Sequence, residues 1–446
     1  MLKKSKSNMD IEVKYLTRVE GHGNIMVKVK DGKLLDCRFE VIESPRFFES
    51  MLVGRSIYEA QHITSRICGI CACGHTLASI KAGEAALGVK VSKQTKLLRQ
   101  LLLHAETMDS HVLHFYILIA PDLLGVNSIF PLIKTHRSVI EIALRMKKMS
   151  DYTSDVLAGR HVHPISFVIG GLTKLPAKKT LLKLRKMMTD SRVDYEATVA
   201  VFKTLKFPKF IRPTQYVSLK QLGTYAYLDG DIYVSSTKKN TDPQKYLNVV
   251  NEFIRDYSTA KFASIKDESY AVGALARFNN SYKFLHPAAK KAAKSLGLSA
   301  PSHNPYLNTV AQLVEWRHCL EESIKIIDEL LDKGLNEKES LVTSWPSVKK
   351  RPIKVKPGRG VGAVEVPRGT LYHDYTVDKN GIITHANCII PTAQNLFNLE
   401  NDMKELVPQL FPSKTKKEIQ LNLEMLARAY DPCISCSTHL LEVEFV

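Results

Sequence analysis

The sequence predicts a mainly helical α+β fold, with a core of long helices and small antiparallel β-sheets near the N- and C-terminal parts of the chain. Helical periodicity fills the middle of the sequence, whereas alternating apolar and polar residues predict hairpins near both ends. With 44% hydrophobic and 24% charged residues, the 446-residue chain can bury a substantial core. We find no internal repeat or low-complexity linker, so residues 1–446 are expected to form one intertwined unit.

Three segments carry strand signals. Residues 11–42 alternate in polarity and contain the turn pair Asp31-Gly32, which predicts a β-hairpin. Residues 210–240 include YVSL and YAYLDGDIYV with several turn residues, which predicts a small strand-rich insertion. A second hairpin is predicted in TLYHDYTVDKNGIITHANCII, around the turn at residues 379–381.

Helices are predicted between these strands. A short helix at 55–65 ends at the first cysteine pair, and the next helix ends at Gly88, a common stop residue. Apolar periodicity predicts further helices at 93–120, 137–158, 176–204, 243–257, 305–334 and 415–429.

Charge and hydropathy limit the environment of the protein. The N-terminus lacks the apolar core of a secretory signal, so we expect a cytoplasmic protein with reduced thiols. The most apolar long stretch, residues 112–130, contains His114, Pro121 and Asp122, which predicts a buried helix and turn and no membrane span. The net charge of +18 favours an acidic partner, but the basic residues are scattered without a basic-aromatic motif, so nucleic-acid binding is not expected.

Two of the pairings among the eight cysteines have CxxC spacing: Cys68 with Cys71 in RICGICACGH, and Cys433 with Cys436 in DPCISCSTH. In such a loop both sulfurs can face one ion, and Gly69 is expected to allow the tight turn that this requires. Four thiolates are most often a structural zinc site. A zinc staple normally joins segments close in sequence, whereas these pairs lie at opposite ends of a large chain. A non-catalytic scaffold stapled by zinc therefore stays an alternative to a redox centre.

Eight motifs occur in the order in which a known family carries them. The chain resembles the large, catalytic subunit of [NiFe] hydrogenases, over nearly its whole length, in RVEGHG (18–23), RFFESMLVGR (46–55), RICGICACGH (66–75), HVLHFYILIAPD (111–122), GRHVHPISFVIGG (159–171), VPRG (366–369), IIPTAQN (389–395) and DPCISCSTH (431–439). The resemblance implies that family's fold and reversible cleavage of H2 into protons and electrons. The quinone-site subunit of respiratory Complex I resembles the same family without the cysteines and is a second alternative.

By motif position, the resemblance implies that Cys68 and Cys433 bind nickel alone, while Cys71 and Cys436 bridge nickel to an iron that carries CO and two cyanides. Thiolates are soft donors that suit such metals. Cys433 is then the first proton acceptor.

Further motif positions imply roles around these metals. Glu20, in the RVEGHG motif, matches the proton-transfer carboxylate of the family. A partly buried glutamate suits that role, since it can take up and release protons. Arg368 and Asp122 match a polar canopy in which Asp122 holds the guanidinium of Arg368 over the metals. Arg368 and Thr392 match the residues that donate hydrogen bonds to the cyanides. His75 is expected to donate a hydrogen bond to a cysteine sulfur.

The resemblance also implies a Mg²⁺ ion near the C-terminus, bound by Glu49, His439 and a main-chain carbonyl near Cys388. His104, His111 and His114 lie at helical spacing, and core packing is expected for most of them. Three other cysteines, Cys37, Cys73 and Cys319, are not expected to bind metal.

Seven residues, LLEVEFV (440–446), follow His439. The resemblance implies that a maturation endopeptidase removes them after nickel-insertion chaperones have delivered the metal. Because the sequence contains no cysteine array for iron-sulfur clusters, electrons are expected to leave through an iron-sulfur small subunit. We find no dinucleotide or phosphate-binding glycine motif, so flavin or nicotinamide would bind further electron-transfer subunits.

Overall fold

The strands form five small sheets in the computed structural model, which describes residues 8–342 and 354–438. Two three-stranded antiparallel sheets, β1-β2-β3 and β12-β13-β14, come from opposite ends of the chain. The other sheets have the orders β11-β6-β7-β8, β10-β9 and β4-β5. The strands are β1 (Met9–Val13), β2 (Gly23–Lys30), β3 (Lys33–Val41), β4 (Phe167–Val168), β5 (Gly171–Leu172), β6 (Gln215–Lys220), β7 (Asp231–Val234), β8 (Lys239–Thr241), β9 (Asn251–Arg255), β10 (Ser258–Ser264), β11 (Tyr270–Ala271), β12 (Gly358–Val366), β13 (Gly369–Val377) and β14 (Ile383–Ile389).

Helices make up the rest of the ordered core. They are α1 (Phe48–Leu52), α2 (Ala60–Thr64), α3 (Ala72–Leu87), α4 (Lys93–Leu113), α5 (Ala120–Leu123), α6 (Phe130–Thr135), α7 (Arg137–Ala158), α8 (Lys178–Phe202), α9 (Ala274–Ser281), α10 (Pro287–Ser295), α11 (Asn308–Lys333), α12 (Glu337–Ser340), α13 (Pro391–Leu410) and α14 (Lys416–Ala429). A π-helical segment, His114–Ile119, continues α4, and short 3₁₀ turns lie at Ser65–Ile67, Pro243–Asn248, Tyr282–Phe284, Pro305–Leu307 and Ser435–Ser437.

Four long helices form the central bundle. Helix α4 packs against α7 and α11, and α8 packs against the same two helices from the other side. Each buries an apolar stripe; in α8, for example, Leu181, Leu184, Met188 and Tyr195 are buried at helical spacing. The predicted bundle of long helices with small sheets near both ends is therefore confirmed, as are the hairpins at Asp31-Gly32 and at residues 379–381.

One predicted helix is wrong. Residues 243–257 form a 3₁₀ turn and strand β9, which pairs with β10 across a turn that contains Tyr257. A short apolar run of this kind fits either period, and the neighbouring strand β10 decides the outcome. The prediction also missed helices α9, α10 and α13, and strand β12, the third strand of the C-terminal sheet.

Glycines in β12 bring helix α3 unusually close to the C-terminal sheet. A Cβ atom at Gly358, Gly360 or Gly362 would lie only 2.4, 2.2 or 1.9 Å from the backbone of α3. Only glycine permits this approach, so the helix lies directly on the strand. The N-terminus of α3, which follows the first cysteine pair, is thereby fixed against the sheet.

None of the helices within the described ranges is both long and apolar enough to span a membrane. The apolar stretch at 112–130 instead contributes to α4, the π-helical segment and α5, and His114, Phe115 and Tyr116 are all buried.

Candidate metal centre

The two cysteine pairs meet in the interior of the molecule. All four sulfurs, from Cys68, Cys71, Cys433 and Cys436, are buried and lie within 4.8 Å of one another. The Cys68 sulfur is 3.2 Å from that of Cys71 and 3.5 Å from that of Cys433. Four thiolates at about 2.3 Å from one ion stand about 3.8 Å apart, so this spacing suits metal coordination.

The Cys433 and Cys436 sulfurs touch each other as in a disulfide, with Cα atoms 5.5 Å apart. Thiolates are the metal-binding form of cysteine, so the reduced form of this pair is the one that completes the set of four ligands.

Helix α3 presents the first pair. Cys71 occupies the residue before the helix, and the Cys68 sulfur accepts the N–H groups of Ile70 and Cys71 at 3.2 and 3.1 Å. These N–H bonds favour a thiolate. Gly69 does not have the expected role, because its φ is not positive and no other atom lies within 4 Å of a Cβ placed there.

The first pair also has a buried carboxyl group behind it. The Glu106 carboxylate, on α4, accepts the N–H groups of Cys73 at 2.7 Å and Gly74 at 3.0 Å, in the first turn of α3. Burial raises the pKa of Glu106 to about 8, although these N–H bonds act to lower it. Glu106 therefore anchors the helix N-terminus with a carboxyl group that holds its proton more tightly than usual.

The two thiols of the first pair share a proton unequally. The hydrogen bond from Cys71 lowers the pKa of Cys68, although burial opposes this, and Arg368 lowers it further. Donating that bond raises the pKa of Cys71 well above its usual value, and burial adds to the effect. Cys68 is thus the better thiolate of the two.

The second pair is held by segments from elsewhere in the chain. Cys433 N–H donates to the Thr392 hydroxyl at 2.9 Å, and Ile434 N–H donates to the Glu20 carbonyl at 2.9 Å. Glu20 and Cys433 form a parallel β-bridge, and the Glu20 carboxylate accepts the N–H of Ser435 at 3.1 Å. Glu20 and Thr392, two of the residues singled out by their motifs, therefore both lie beside Cys433.

This approach requires glycine at position 21. A Cβ atom at Gly21 would lie 2.8 Å from Ile434, and its φ of +84° falls in the left-handed region.

Arg46 connects the two pairs, a role that its sequence motif did not reveal. Its guanidinium donates to the carbonyl of Ile67, just before Cys68, at 2.6 Å, and to the carbonyl of Ser435, just before Cys436. Its main-chain N–H donates to the carbonyl of Thr438 at 2.8 Å. The only sequence signal was its place in the RFFES motif.

Arg368 lies over the sulfurs. It occupies a two-residue turn between the paired residues Val366 of β12 and Gly369 of β13. Its guanidinium lies 3.9 Å from the Cys71 sulfur and 3.3 Å from the Ser110 hydroxyl. Burial acts to lower the pKa of Arg368, but Asp431 and the thiols of Cys71 and Cys68 raise it above its usual value. A fixed positive charge therefore faces the thiols.

The carboxylate that holds Arg368 is Asp431 and not Asp122, which corrects the sequence prediction. Arg368 donates to the Asp431 carboxylate at 2.8 Å and to its carbonyl at 2.6 Å. Asp122 instead pairs with Arg428 at 3.0 Å and with Arg18. Arg18 lies two residues before Glu20, so Asp122 fastens the loop that carries Glu20 to α14.

Glu49 and Cys388 are neighbours, as expected, but the contact is made by the Cys388 N–H and not by a main-chain carbonyl. Cys388 N–H donates to the Glu49 carboxylate at 2.8 Å, and the Lys261 ammonium lies 3.1 Å from the same carboxylate. Lys261 is also 3.3 Å from Glu252 and 3.2 Å from the Asn387 side-chain oxygen. These oxygen donors are of the type that Mg²⁺ prefers. The third expected ligand, His439, lies outside the described residues, as does the tail at 440–446.

His75 is buried one turn after Cys71 and bonds to a second histidine. Its Nδ1 is 3.0 Å from Nε2 of His373, whose Nδ1 is 2.6 Å from the Tyr375 hydroxyl. The expected contact between His75 and a cysteine sulfur stays a prediction. The three histidines expected to pack in the core are indeed buried, and each has a polar partner: His104 bonds Ser323, His111 bonds Glu315, and His114 bonds Gln312.

Cys37, Cys73 and Cys319 are buried and lie outside the group of four sulfurs. Burial raises the pKa of Cys37 to about 12, so this thiol stays protonated.

The donor set fits a redox-active late metal. Four buried thiols provide soft ligands, and a guanidinium, a hydroxyl and a carboxylate lie around them. A closed structural zinc site needs no such polar groups at its face. Fold and site together define a metal-dependent oxidoreductase with a thiolate-bound centre.

The family profile described as nickel-dependent hydrogenase matches residues 46–140 and 211–439, and a profile described as HoxL-like matches residues 10–44. The chain belongs to the nickel-dependent hydrogenase family, as a large, catalytic [NiFe] hydrogenase subunit.

Similar proteins extend over the whole chain. The alpha subunit of sulfhydrogenase 1 from Pyrococcus furiosus is 30% identical over 436 residues, which cover 98% of this chain and 99% of the relative. One subunit of the F420-non-reducing hydrogenase from Methanothermobacter thermautotrophicus is 32% identical over 458 residues, covering 96% and 94%. The crystal structure of an NAD⁺-reducing [NiFe]-hydrogenase in the H2-reduced state superposes with a TM-score of 0.85 at 27% identity, covering 97% of this chain and 100% of that one.

Proposed function

We propose that this large subunit splits dihydrogen at a Ni–Fe centre held by Cys68, Cys71, Cys433 and Cys436. The observation that carries the proposal is the meeting of four buried sulfurs within 4.8 Å, drawn from both ends of the chain. Cys68 and Cys433 would bind nickel alone, and Cys71 and Cys436 would also bind iron. The centre supplies the Lewis-acidic, redox-active metals at which H2 becomes acidic enough to be split.

The protein provides the base and the exit for the proton. The Cys433 sulfur would take the proton first, because it is one of the four buried sulfurs that would hold the metals. Glu20 receives it next, since its backbone pairs with Cys433 and its carboxylate is fixed by the N–H of Ser435. Arg18, held by Asp122, fixes the start of the loop that carries Glu20.

Arg368 and Thr392 orient the ligands of the iron, which we propose to be CO and two cyanides. The Thr392 hydroxyl accepts the Cys433 N–H, so its own proton is available for a cyanide. Arg368 keeps two donors on Asp431 and turns a third towards Cys71 and Ser110. His75, which bonds to His373 through Nδ1 and lies one turn after Cys71, is proposed to support a cysteine sulfur.

A Mg²⁺ ion bound by Glu49, the Cys388 carbonyl and His439 is a further proposal. The Lys261 ammonium lies among the same carboxylates. Burial acts to lower the pKa of Lys261, but Glu252 and Glu49 raise it above its usual value, so Lys261 adds a positive charge to this group of oxygen donors. Metal analysis of the purified protein tests the proposal, with about one Mg²⁺ for each Ni expected.

The chain functions within a larger assembly, since the proteins that it matches are named as hydrogenase subunits. We propose that the electron acceptor is an iron-sulfur small subunit, with flavin- or nicotinamide-binding subunits beyond it, in the cytoplasm. Residues 440–446 are proposed to be removed by an endopeptidase after nickel-insertion chaperones act, leaving residues 1–439 as one intertwined catalytic unit. Mass spectrometry of active protein that found Val446 in place would contradict this step.

The direct test is purification with native partners, metal analysis and an assay of H2-dependent dye reduction. We expect Ni and Fe, infrared bands of CO and cyanide, and dye reduction that requires H2. Zinc without these bands would instead support the scaffold alternative. Glu20→Gln should slow turnover while metals stay bound, and the exposed carboxylate change Glu12→Gln serves as its control. Full turnover in Glu20→Gln would remove Glu20 from the proton path.

A further inference from the structure

Asp431, whose carboxylate holds Arg368, has a left-handed backbone conformation. Asp431 has φ = +52° and is 2% exposed. Aspartate adopts the left-handed conformation more readily than most residues with a Cβ, and the contacts of Asp431 stabilise it there. One carboxylate oxygen and the main-chain carbonyl of Asp431 bind Arg368. The second oxygen, Oδ2, needs a donor of its own.

Gln312 supplies that donor. Its side-chain amide, 1% exposed on the second turn of α11, donates to Oδ2 of Asp431 at 3.0 Å. Among the described residues, it is the one side chain that donates to Oδ2. An ionised carboxylate only accepts, so the amide nitrogen of Gln312 must face Asp431 and its oxygen must face His114. The orientation of Gln312 is therefore fixed from both sides.

The same helix fixes the turn that carries Arg368. Glu315, one turn along α11 from Gln312, binds Arg277 through two hydrogen bonds of 2.7 Å. Arg277 donates to the carbonyls of Val366 and Pro367, at 2.9 and 3.0 Å, immediately before Arg368. One face of α11 thus holds the backbone of Arg368 through Glu315 and its carboxylate partner through Gln312.

From these contacts we propose that Gln312 is a positioning residue for Arg368, acting through Asp431. Without the amide, a buried carboxylate oxygen would lack a partner and Asp431 would rotate towards another donor. Arg368 would then lose the geometry that places its guanidinium over Cys71. This inference rests on the proposed role of Arg368 at the Ni–Fe centre.

A double-mutant cycle in the purified native complex tests the proposal. Q312L should lower H2-dependent dye reduction about tenfold or more, because a hydrogen bond to a charged group is lost. In an R368K background, Q312L should cost less than about twofold further, since its effect passes through Arg368. Equal losses in both backgrounds would overturn the proposal.

Two readouts separate positioning from general damage. Ni and Fe content should equal that of the unmutated protein, while a crystal structure of Q312L should show the Arg368 guanidinium displaced from Asp431. An unmoved guanidinium would contradict the proposal whatever the activity. Q94L is the matched control, because Gln94 is a similarly buried glutamine that bonds Ser340 and Asn336 instead. It should leave activity unchanged.

Two further measurements cover the remaining outcomes. If Q312L fails to fold, Q312E keeps the side-chain size but places a second acceptor against Asp431, and it should show the same dependence on Arg368. If the unmutated complex lacks Ni, Fe or H2 oxidation, the proposed function fails, while displacement of Arg368 in the Q312L crystal still decides the positioning role.

Discussion

Cys68 and Cys71 are placed by the start of a long helix that packs on a β-strand, whereas Cys433 and Cys436 lie in a short segment that is held by single contacts with other parts of the chain. The first pair sits at the start of α3, which lies on the glycine face of β12. Cys436 lies in the 3₁₀ turn Ser435–Ser437 and Cys433 lies just before it. This segment depends on contacts with Glu20, Arg46 and Thr392. The first pair therefore depends on the packing of one helix on strand β12 of the C-terminal sheet. The second pair depends on single contacts with three separate segments.

The largest expected effect comes from removing the sulfur of Cys433. Cys433→Ala should reduce H2-dependent dye reduction to below about one thousandth of normal, because the proposed metal ligand and proposed first proton acceptor is lost. Cys37→Ala is the control, since Cys37 is buried outside the group of four. Measurable H2 oxidation in Cys433→Ala would contradict the assigned role.

The packing that places Cys68 and Cys71 can be disrupted through strand β12. Gly362→Ala would place a Cβ 1.9 Å from the carbonyl of Ala78, so α3 must move away from β12. We expect the free energy of unfolding to fall by about 4 kcal/mol in chemical denaturation. Gly69→Ala, where no other atom lies within 4 Å of the added Cβ, should cost little. Similar losses for both variants would refute the tight contact.

The electrostatics behind the first pair should appear in the pH dependence of stability. The pKa of Glu106 is raised from 4.5 to about 8, so between these values the folded state binds the proton and the unfolded state releases it. The free energy of unfolding of the metal-free protein should therefore fall as pH rises from about 5 to about 9, by about 4 kcal/mol. Glu106→Gln should remove this part of the slope. An unchanged slope would show that Glu106 titrates normally.

The contact between the two cysteine pairs can be weakened at Arg46. Arg46→Met keeps most of the side chain but loses the hydrogen bonds to the carbonyls of Ile67 and Ser435. We expect a loss of about 2 kcal/mol in stability and a lower Ni content after purification. Arg38→Met is the control, because Arg38 pairs with Asp36 and Glu40 at the surface. Normal Ni content in Arg46→Met would argue against the connecting role.

The sequence predicted best what local pattern and motif determine. Spacing identified both cysteine pairs, and periodicity located the long helices and both terminal hairpins. The motifs also identified Glu20 and Thr392, which both contact the backbone of Cys433, while the roles assigned to them stay predictions.

What the sequence missed depends on three-dimensional pairing. Asp122 and Asp431 are both acids in recognisable motifs, and only the fold decides which one meets Arg368 and which one meets Arg428. Gln312 carries no motif at all, since its role arises from where α11 crosses the site. Residues 243–257 failed for the same reason, because pairing with β10 outweighed a helical pattern.

The bridge between Glu20 and the C-terminal segment has a consequence in time. Glu20 and Ser435 are joined by a hydrogen bond across 415 residues of sequence. A ribosome adding about 5 to 20 residues per second needs roughly 20 to 80 seconds to make that interval. The nascent chain therefore presents one cysteine pair long before the other exists, and insertion of the paired metals has to wait until translation is nearly over.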